Sequence, residues 1–214
     1  MDTCLEGLHQ DLLRCACRAL AEGQIIAHPT ETVFGFAVDP FNPEAVTRLL
    51  RLKGRASERG LILLIPDRSW LERLILPPPP LASCLMERFW PGPLTLLLPA
   101  RPDLPPTVTG GSGFVALRHS SSPLVADLLA IWQRPLVSTS ANRSGQPTAC
   151  SAAIVRQQWG EVVPVILAGQ SAAGARPSTL VRVEGTRFAV VREGAVAGAC
   201  LQKAVVECHP PLDP

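Results

Sequence analysis

No run of 18 or more apolar residues occurs in this 214-residue chain, so no stretch is long enough to cross a bilayer as a helix. Cys-x-x-Cys spacing is missing too, and no two histidines stand close enough together to suggest zinc. The Gly-x-x-x-x-Gly-Lys-Ser/Thr pattern is absent, so the small-residue loop Thr107 to Gly113 reads as a plain connection rather than a phosphate cradle. Nor is there a Ser/His/Asp arrangement or a cysteine with an evident base, which argues against a covalent enzyme intermediate. A strong charge of one sign is lacking as well. The net charge of +2 and pI near 8.2 do not announce a nucleic-acid binder in bulk. The first residues carry neither a basic n-region nor a long apolar h-region, so no signal peptide is expected. Seven cysteines, an odd number, fit a reducing compartment, and the cytoplasm is the expected location. No internal repeat is visible.

What is present is a chain 47% hydrophobic and 18% charged, enough for one large α/β domain whose core needs no disulfide staples. Residues 5–21 place Leu5, Leu8, Leu12, Leu13, Ala16, Ala19 and Leu20 at helical spacing, with Gly23 as a stop. Asn42 and Pro43 cap and open a second helix that runs to Lys53 and Gly54. Helical patterns recur over 68–76, 81–90, 123–132 and 198–206, with a stiff polyproline connector at 77–80. Apolar strand-like runs fall at 24–27, 34–38, 61–66, 94–98, 114–117, 136–137, 162–167, 178–181 and 188–191. Strands alternating with helices predict an α/β fold, and strands that follow each other directly predict a mixed sheet.

Polar groups concentrate at a few places in this pattern. The stretch His28-Pro29-Thr30-Glu31-Thr32-Val33-Phe34-Gly35 sets two hydroxyls and a carboxylate at a strand-to-strand connection. The alternative is a turn capped by Thr30 and Thr32 with Glu31 solvated. Lys53, Arg55 and Arg59 could gather around phosphates, or Lys53-Gly54-Arg55 could be a helix C-cap with favourable dipole charges. Arg118 closes a strand, where a guanidinium can grip a carboxylate with two hydrogen bonds or form a surface salt bridge. The run Ser138 to Gly145 can satisfy a polar ligand or its own backbone. Trp90 is expected to pack on the Pro91-Gly92-Pro93 turn, and His28 to be packed or hydrogen-bonded rather than a general base.

Seven segments then occur in one order: Pro29-Thr30-Glu31-Thr32-Val33-Phe34-Gly35, Lys53-Gly54-Arg55, Trp90-Pro91-Gly92-Pro93-Leu94-Thr95, Ala116-Leu117-Arg118, Ser140-Ala141-Asn142-Arg143-Ser144-Gly145, Pro177-Ser178-Thr179 and Arg192-Glu193-Gly194-Ala195. With them the chain resembles the YrdC-like threonylcarbamoyl-AMP synthases, most closely their short bacterial form. The resemblance implies a single YrdC-like domain over residues 8–196, a twisted mixed sheet flanked by helices around a concave basic site. Residues 197–214 would form a C-terminal helix and proline-rich tail, without the second domain of longer relatives. It implies formation of L-threonylcarbamoyl-AMP and pyrophosphate from L-threonine, bicarbonate and ATP, for N6-threonylcarbamoyladenosine in tRNA. By matching position, Thr32, Arg118, Ser138 and Ser178 would bind threonine. Arg55, Arg59, Ser140, Asn142, Thr148 and Arg192 would bind ATP, and Lys53 and Arg55 would be the catalytic cations. Mg²⁺ would come with the nucleotide rather than on a protein metal site, with no tightly bound cofactor. The tRNA threonylcarbamoyl-transfer proteins would act downstream, with no membrane partner. Two rivals are a carbamoyl-adenylate-forming domain, as in the larger carbamoyltransferases, and a module binding tRNA or double-stranded RNA on the basic face.

The sequence departs from the family at Leu64 and Phe114, where longer relatives carry His and Thr, at Ala56 in place of Pro, and at His28 in place of an aromatic. The chemistry itself asks for cations. A threonine carbamate must approach the α-phosphorus of an anionic triphosphate, and two unit charges about 4 Å apart at an effective dielectric of about 20 repel by roughly 4 kcal/mol. Catalysis would then be positioning and charge stabilisation. Telling threonine from serine by one methyl requires an apolar wall beside the hydroxyl-binding groups.

Overall fold

The structure, a computed structural model, describes residues 2–54, 60–171 and 174–208, with side chains from residue 7 onward. Helix α1 (Asp2–Ala21) leads into β1 (Ile26–His28) and β2 (Gly35–Val38), which pair antiparallel. Helix α2 (Pro43–Lys53) starts where the Asn42 side chain accepts a hydrogen bond from the Ala45 amide, and it ends on Gly54 in the left-handed conformation. After β3 (Ile62–Leu64) come a 3₁₀ turn (Arg68–Trp70), α3 (Leu71–Leu74), α4 (Pro80–Phe89) and β4 (Leu94–Pro99). Then follow α5 (Pro106–Thr109), β5 (Phe114–Arg118), α6 (Pro123–Trp132) and β6 (Leu136–Ser140). The chain closes with α7 (Ala152–Trp159), β7 (Val165–Ile166), β8 (Thr179–Glu184), β9 (Arg187–Arg192) and α8 (Gly198–Cys208).

All nine strands join one mixed sheet in the order β7-β1-β2-β6-β3-β5-β4-β8-β9. Its β3/β5, β4/β8 and β1/β7 pairs are parallel and the rest antiparallel. Because side chains alternate along a strand, each strand feeds two layers. On one face Phe36, Leu63, Leu96, Leu117, Val137 and Val181 are buried with residues of α2, α4, α7 and α8. On the other, Ile26, Ala37, Leu64 and Leu136 are buried against Leu13, Ala16 and Leu20 of α1 and Val125 and Leu128 of α6. Burial of each such aliphatic side chain contributes about 2 kcal/mol. The second face is only half covered by these two helices, and its continuation is the floor of the cavity described below.

Three expectations change. Residues 138–140, read as loop, continue strand β6, because β2 and β3 flank it on both sides and take up its backbone groups. Helix α7 has no counterpart in the sequence reading; it is short, capped by Ser151, and buries only Val155 and Trp159. The cysteines are not all thiols. Cys84 on α4 and Cys208 on α8 form a disulfide, a pairing across 124 residues that only tertiary packing brings together. Among the described residues no helix is long and apolar enough to cross a membrane.

Candidate active site

The row Ser138, Ile62, Ala116 and Leu97 runs across β6, β3, β5 and β4 as directly opposed residues. Directly opposed residues share a face, so this row forms one surface. It floors a cavity of about 680 Å³ whose walls come from both ends of the sheet and from the loops above it. Leu64, Phe114 and Leu180 also line it, which supplies the apolar wall expected beside the polar groups. Two of these are the positions where longer relatives carry His and Thr.

Arg118, at the end of β5, is 5% exposed. Its Nε donates to the Gly92 carbonyl at 3.1 Å and its Nη1 to Thr32 Oγ1 at 3.0 Å. Nη2 stands 2.7 Å from Glu31 Oε1 as an ion pair. That ion pair engages Nη2, which is itself buried. The Trp90 turn holds the Gly92 carbonyl in place: Trp90 is buried and its Nε1 donates to Leu94 O at 2.7 Å, the packing role expected of it.

The connection from β1 to β2 is both of the things weighed from sequence. Thr30 Oγ1 accepts from the amides of Thr32 and Val33, each at 3.1 Å, which is the turn-capping role. Glu31 is not solvated, however. Ser120 Oγ donates to it at 2.5 Å and the Ser121 amide at 2.9 Å, besides the Arg118 contact. Burial pushes the Glu31 carboxyl up, but the Arg118 charge and the Ser120 and Ser121 bonds outweigh it and hold the carboxyl below its ordinary range. The polar stretch is therefore a socket for one guanidinium.

Opposite lies Ser178, just before β8, whose Oγ shares a hydrogen with Thr95 Oγ1 at 2.7 Å. Arg192, closing β9, donates from Nη2 to Ser178 O at 2.8 Å. Burial, and then the charge of Arg118, press the Arg192 guanidinium below its ordinary range. Its strand end is locked by a close approach: a Cβ at Gly194 would sit 2.2 Å from Pro177 O, so only glycine fits there. Thr179 Oγ1 completes the lock by bonding both the amide and the carbonyl of Val196.

Of the side chains singled out from sequence, Thr32, Arg118, Ser138, Ser140, Thr148, Ser178 and Arg192 line this one cavity. Arg55 and Arg59 lie outside the described residues. Lys53 and Asn142 are placed differently from expectation. Lys53 is 3% exposed, and its Nζ donates to Ser140 O, to Asn142 O at 2.9 Å and to Asn142 Oδ1 at 3.3 Å. Asn142 accepts from Ser140 Oγ at 2.6 Å and donates to Gln146 O at 2.5 Å. Neither is among the lining side chains. The reason is local: a strand that stops at Ser140 leaves carbonyls facing inward, and the ammonium at the end of α2 satisfies them. Glu31, Ser120 and Thr95 were missed as supports, since their partners stand 83 to 89 residues away in the chain. Among the described residues no three His, Cys, Asp or Glu side chains converge as metal ligands.

The Sua5/YciO/YrdC family model, described as telomere recombination, matches residues 18–194. A threonylcarbamoyl-AMP synthase of Nitrosococcus oceani is 41% identical over 168 residues, covering 78% of this chain and 91% of the relative. One from Halorhodospira halophila is 37% identical over 180 residues, covering 84% and 94%. The crystal structure of P. abyssi Sua5 complexed with L-threonine superposes with a TM-score of 0.85 at 33% identity, covering 90% of this chain and 56% of that one. With E. coli YciO, at 22% identity and a TM-score of 0.79 over 88% of this chain and 91% of that one, the likeness is one of fold. A model match over most of the chain, with relatives this similar over nearly their whole length, leaves one conclusion: the chain belongs to the Sua5/YciO/YrdC family.

Proposed function

We propose that this chain is a threonylcarbamoyl-AMP synthase, which joins L-threonine, bicarbonate and ATP into L-threonylcarbamoyl-AMP with release of water and pyrophosphate. The observation that carries the reading is the convergence of two guanidiniums, Arg118 and Arg192, with the hydroxyls of Thr32, Ser138, Ser140, Thr148 and Ser178 on one cavity. Two cations, only one of which, Arg118, is paired with a carboxylate among the described residues, favour anionic ligands. The threonine carboxylate would face the Arg118 guanidinium, and Thr32, Ser138 and Ser178 would surround the amino acid. Leu64 and Ala116 would meet its methyl group, which sets threonine apart from serine by about 1–3 kcal/mol.

The nucleotide would lie toward Ser140, Thr148 and Arg192, with Arg55 and Arg59 as further cations and its Mg²⁺ arriving on the triphosphate. The carbamate oxygen attacks the α-phosphorus and pyrophosphate leaves. The chain contributes orientation and fixed charge, which are worth most in a partly enclosed site. Lys53 would act at one remove, holding the β6 end and so Ser140 in place. A 680 Å³ hollow with an apolar floor suits small molecules better than a nucleic-acid duplex. The product would pass to tRNA-modifying proteins in the cytoplasm.

The test is pyrophosphate release from ATP, with omission of each substrate. The expected result is turnover only when both L-threonine and bicarbonate are present. Turnover indifferent to threonine, or none from folded protein, would defeat the proposal.

A further inference from the structure

His28 ends β1 and Ser138 lies on β6, and β2 runs between them. Their side chains nevertheless meet, Ser138 Oγ to His28 Nε2, at 3.3 Å. Gly35 on β2, directly opposite His28, makes the crossing feasible, since a Cβ there would stand 3.1 Å from Ser138 Oγ and 3.5 Å from the imidazole nitrogen. The other ring nitrogen, Nδ1, lies 3.2 Å from Pro29 O. A carbonyl only accepts, so Nδ1 carries the ring proton and Nε2 presents a lone pair. The ring is wholly buried, and that burial lowers its pKa to about 4, so it is neutral at physiological pH. With Nε2 an acceptor, the Ser138 hydroxyl hydrogen is committed to it. The two lone pairs of Oγ are what remain for the cavity that Ser138 lines.

We propose that His28 is a positioning residue that makes Ser138 a fixed hydrogen-bond acceptor, so that this corner of the cavity selects an N–H or O–H donor of the bound amino acid. An acceptor group presented at the same place would face lone pairs and be rejected. The inference rests on the threonine-binding reading above and adds to it the polarity of one contact, set by a residue that stands where the family usually has an aromatic.

The test is titration calorimetry of L-threonine, L-2-aminobutyrate and ATP with the wild-type chain, His28→Phe and His28→Gln. His28→Phe keeps a flat ring without the acceptor, while Gln restores an acceptor within reach. The expected result is threonine binding weakened about tenfold in His28→Phe, recovered in His28→Gln, with ATP affinity unchanged. If the donor is the substrate hydroxyl, 2-aminobutyrate binds both proteins alike; if it is the amine, both amino acids weaken together. Unchanged threonine binding in His28→Phe would overturn the inference, as would equal losses for threonine and ATP. Should that variant not fold, Ser138→Ala takes its place, with the same tenfold loss expected and unchanged binding overturning the idea. A wild-type chain that binds ATP but no threonine would overturn the parent reading as well, which separates the two failures.

Discussion

Arg118 and Lys53 are both buried cations at the ends of regular elements, yet the molecule uses them in opposite ways. Arg118 is held by a carbonyl, a hydroxyl and a carboxylate, and its side chain also lines the cavity. Lys53 directs its ammonium at three backbone and side-chain oxygens of residues 140 and 142. A guanidinium has five N–H groups in a planar fork, so it can be fixed and still have a donor to offer; an ammonium has three, and among the described residues three oxygens lie within reach of this one. On the proposed reading, the difference separates a group that would meet ligand from one that holds the wall.

The sharpest way to break this contrast is Arg118→Ala. Threonine affinity is expected to fall by about 4 kcal/mol, close to a thousandfold, with ATP affinity changed little, as read by calorimetry with each ligand. Equal losses for both ligands would erase the division between the two ends of the cavity. Next in size is Lys53→Met, which strips a buried cation from its acceptors. Chemical denaturation should show a loss of about 2–3 kcal/mol in stability. Wild-type stability combined with lost ATP binding would instead make Lys53 a phosphate ligand and collapse the comparison.

The smallest effect belongs to Glu31→Gln, expected to cost about 1–2 kcal/mol at pH 7. The Glu31 carboxyl is held below its ordinary value of 4.5 in the folded chain. Its contribution is therefore present above that value and is lost as the pH falls through the lower folded one. Denaturation curves of wild type and variant should accordingly differ at pH 7 and converge in acid. A gap that stays constant down to strongly acidic pH would show that the Arg118 charge is not what Glu31 serves.

Much of this site could be read from residue types and their order, and the parts that could not share a cause. Arg118 at a strand end, the hydroxyls of the Thr30 to Thr32 connection and the mixed sheet follow from local pattern, while Ser178 came only with the family resemblance, because strand periodicity and motif order are properties of neighbouring residues. That Ser138 to Ser140 is strand rather than loop depended on flanking strands from far away in the chain. The Cys84 to Cys208 bridge likewise required α8 to pack on α4.

The sequence by itself thus determined which basic and hydroxyl-bearing side chains were available, and that strands and helices would alternate to carry them. Only the tertiary structure decided which cation faces the cavity, which carboxylate restrains it and which way a serine hydroxyl points. Those choices depend on partners 83 to 110 residues apart. Hydrogen-bond direction is set by the last few tenths of an ångström of packing, a length that no linear pattern specifies.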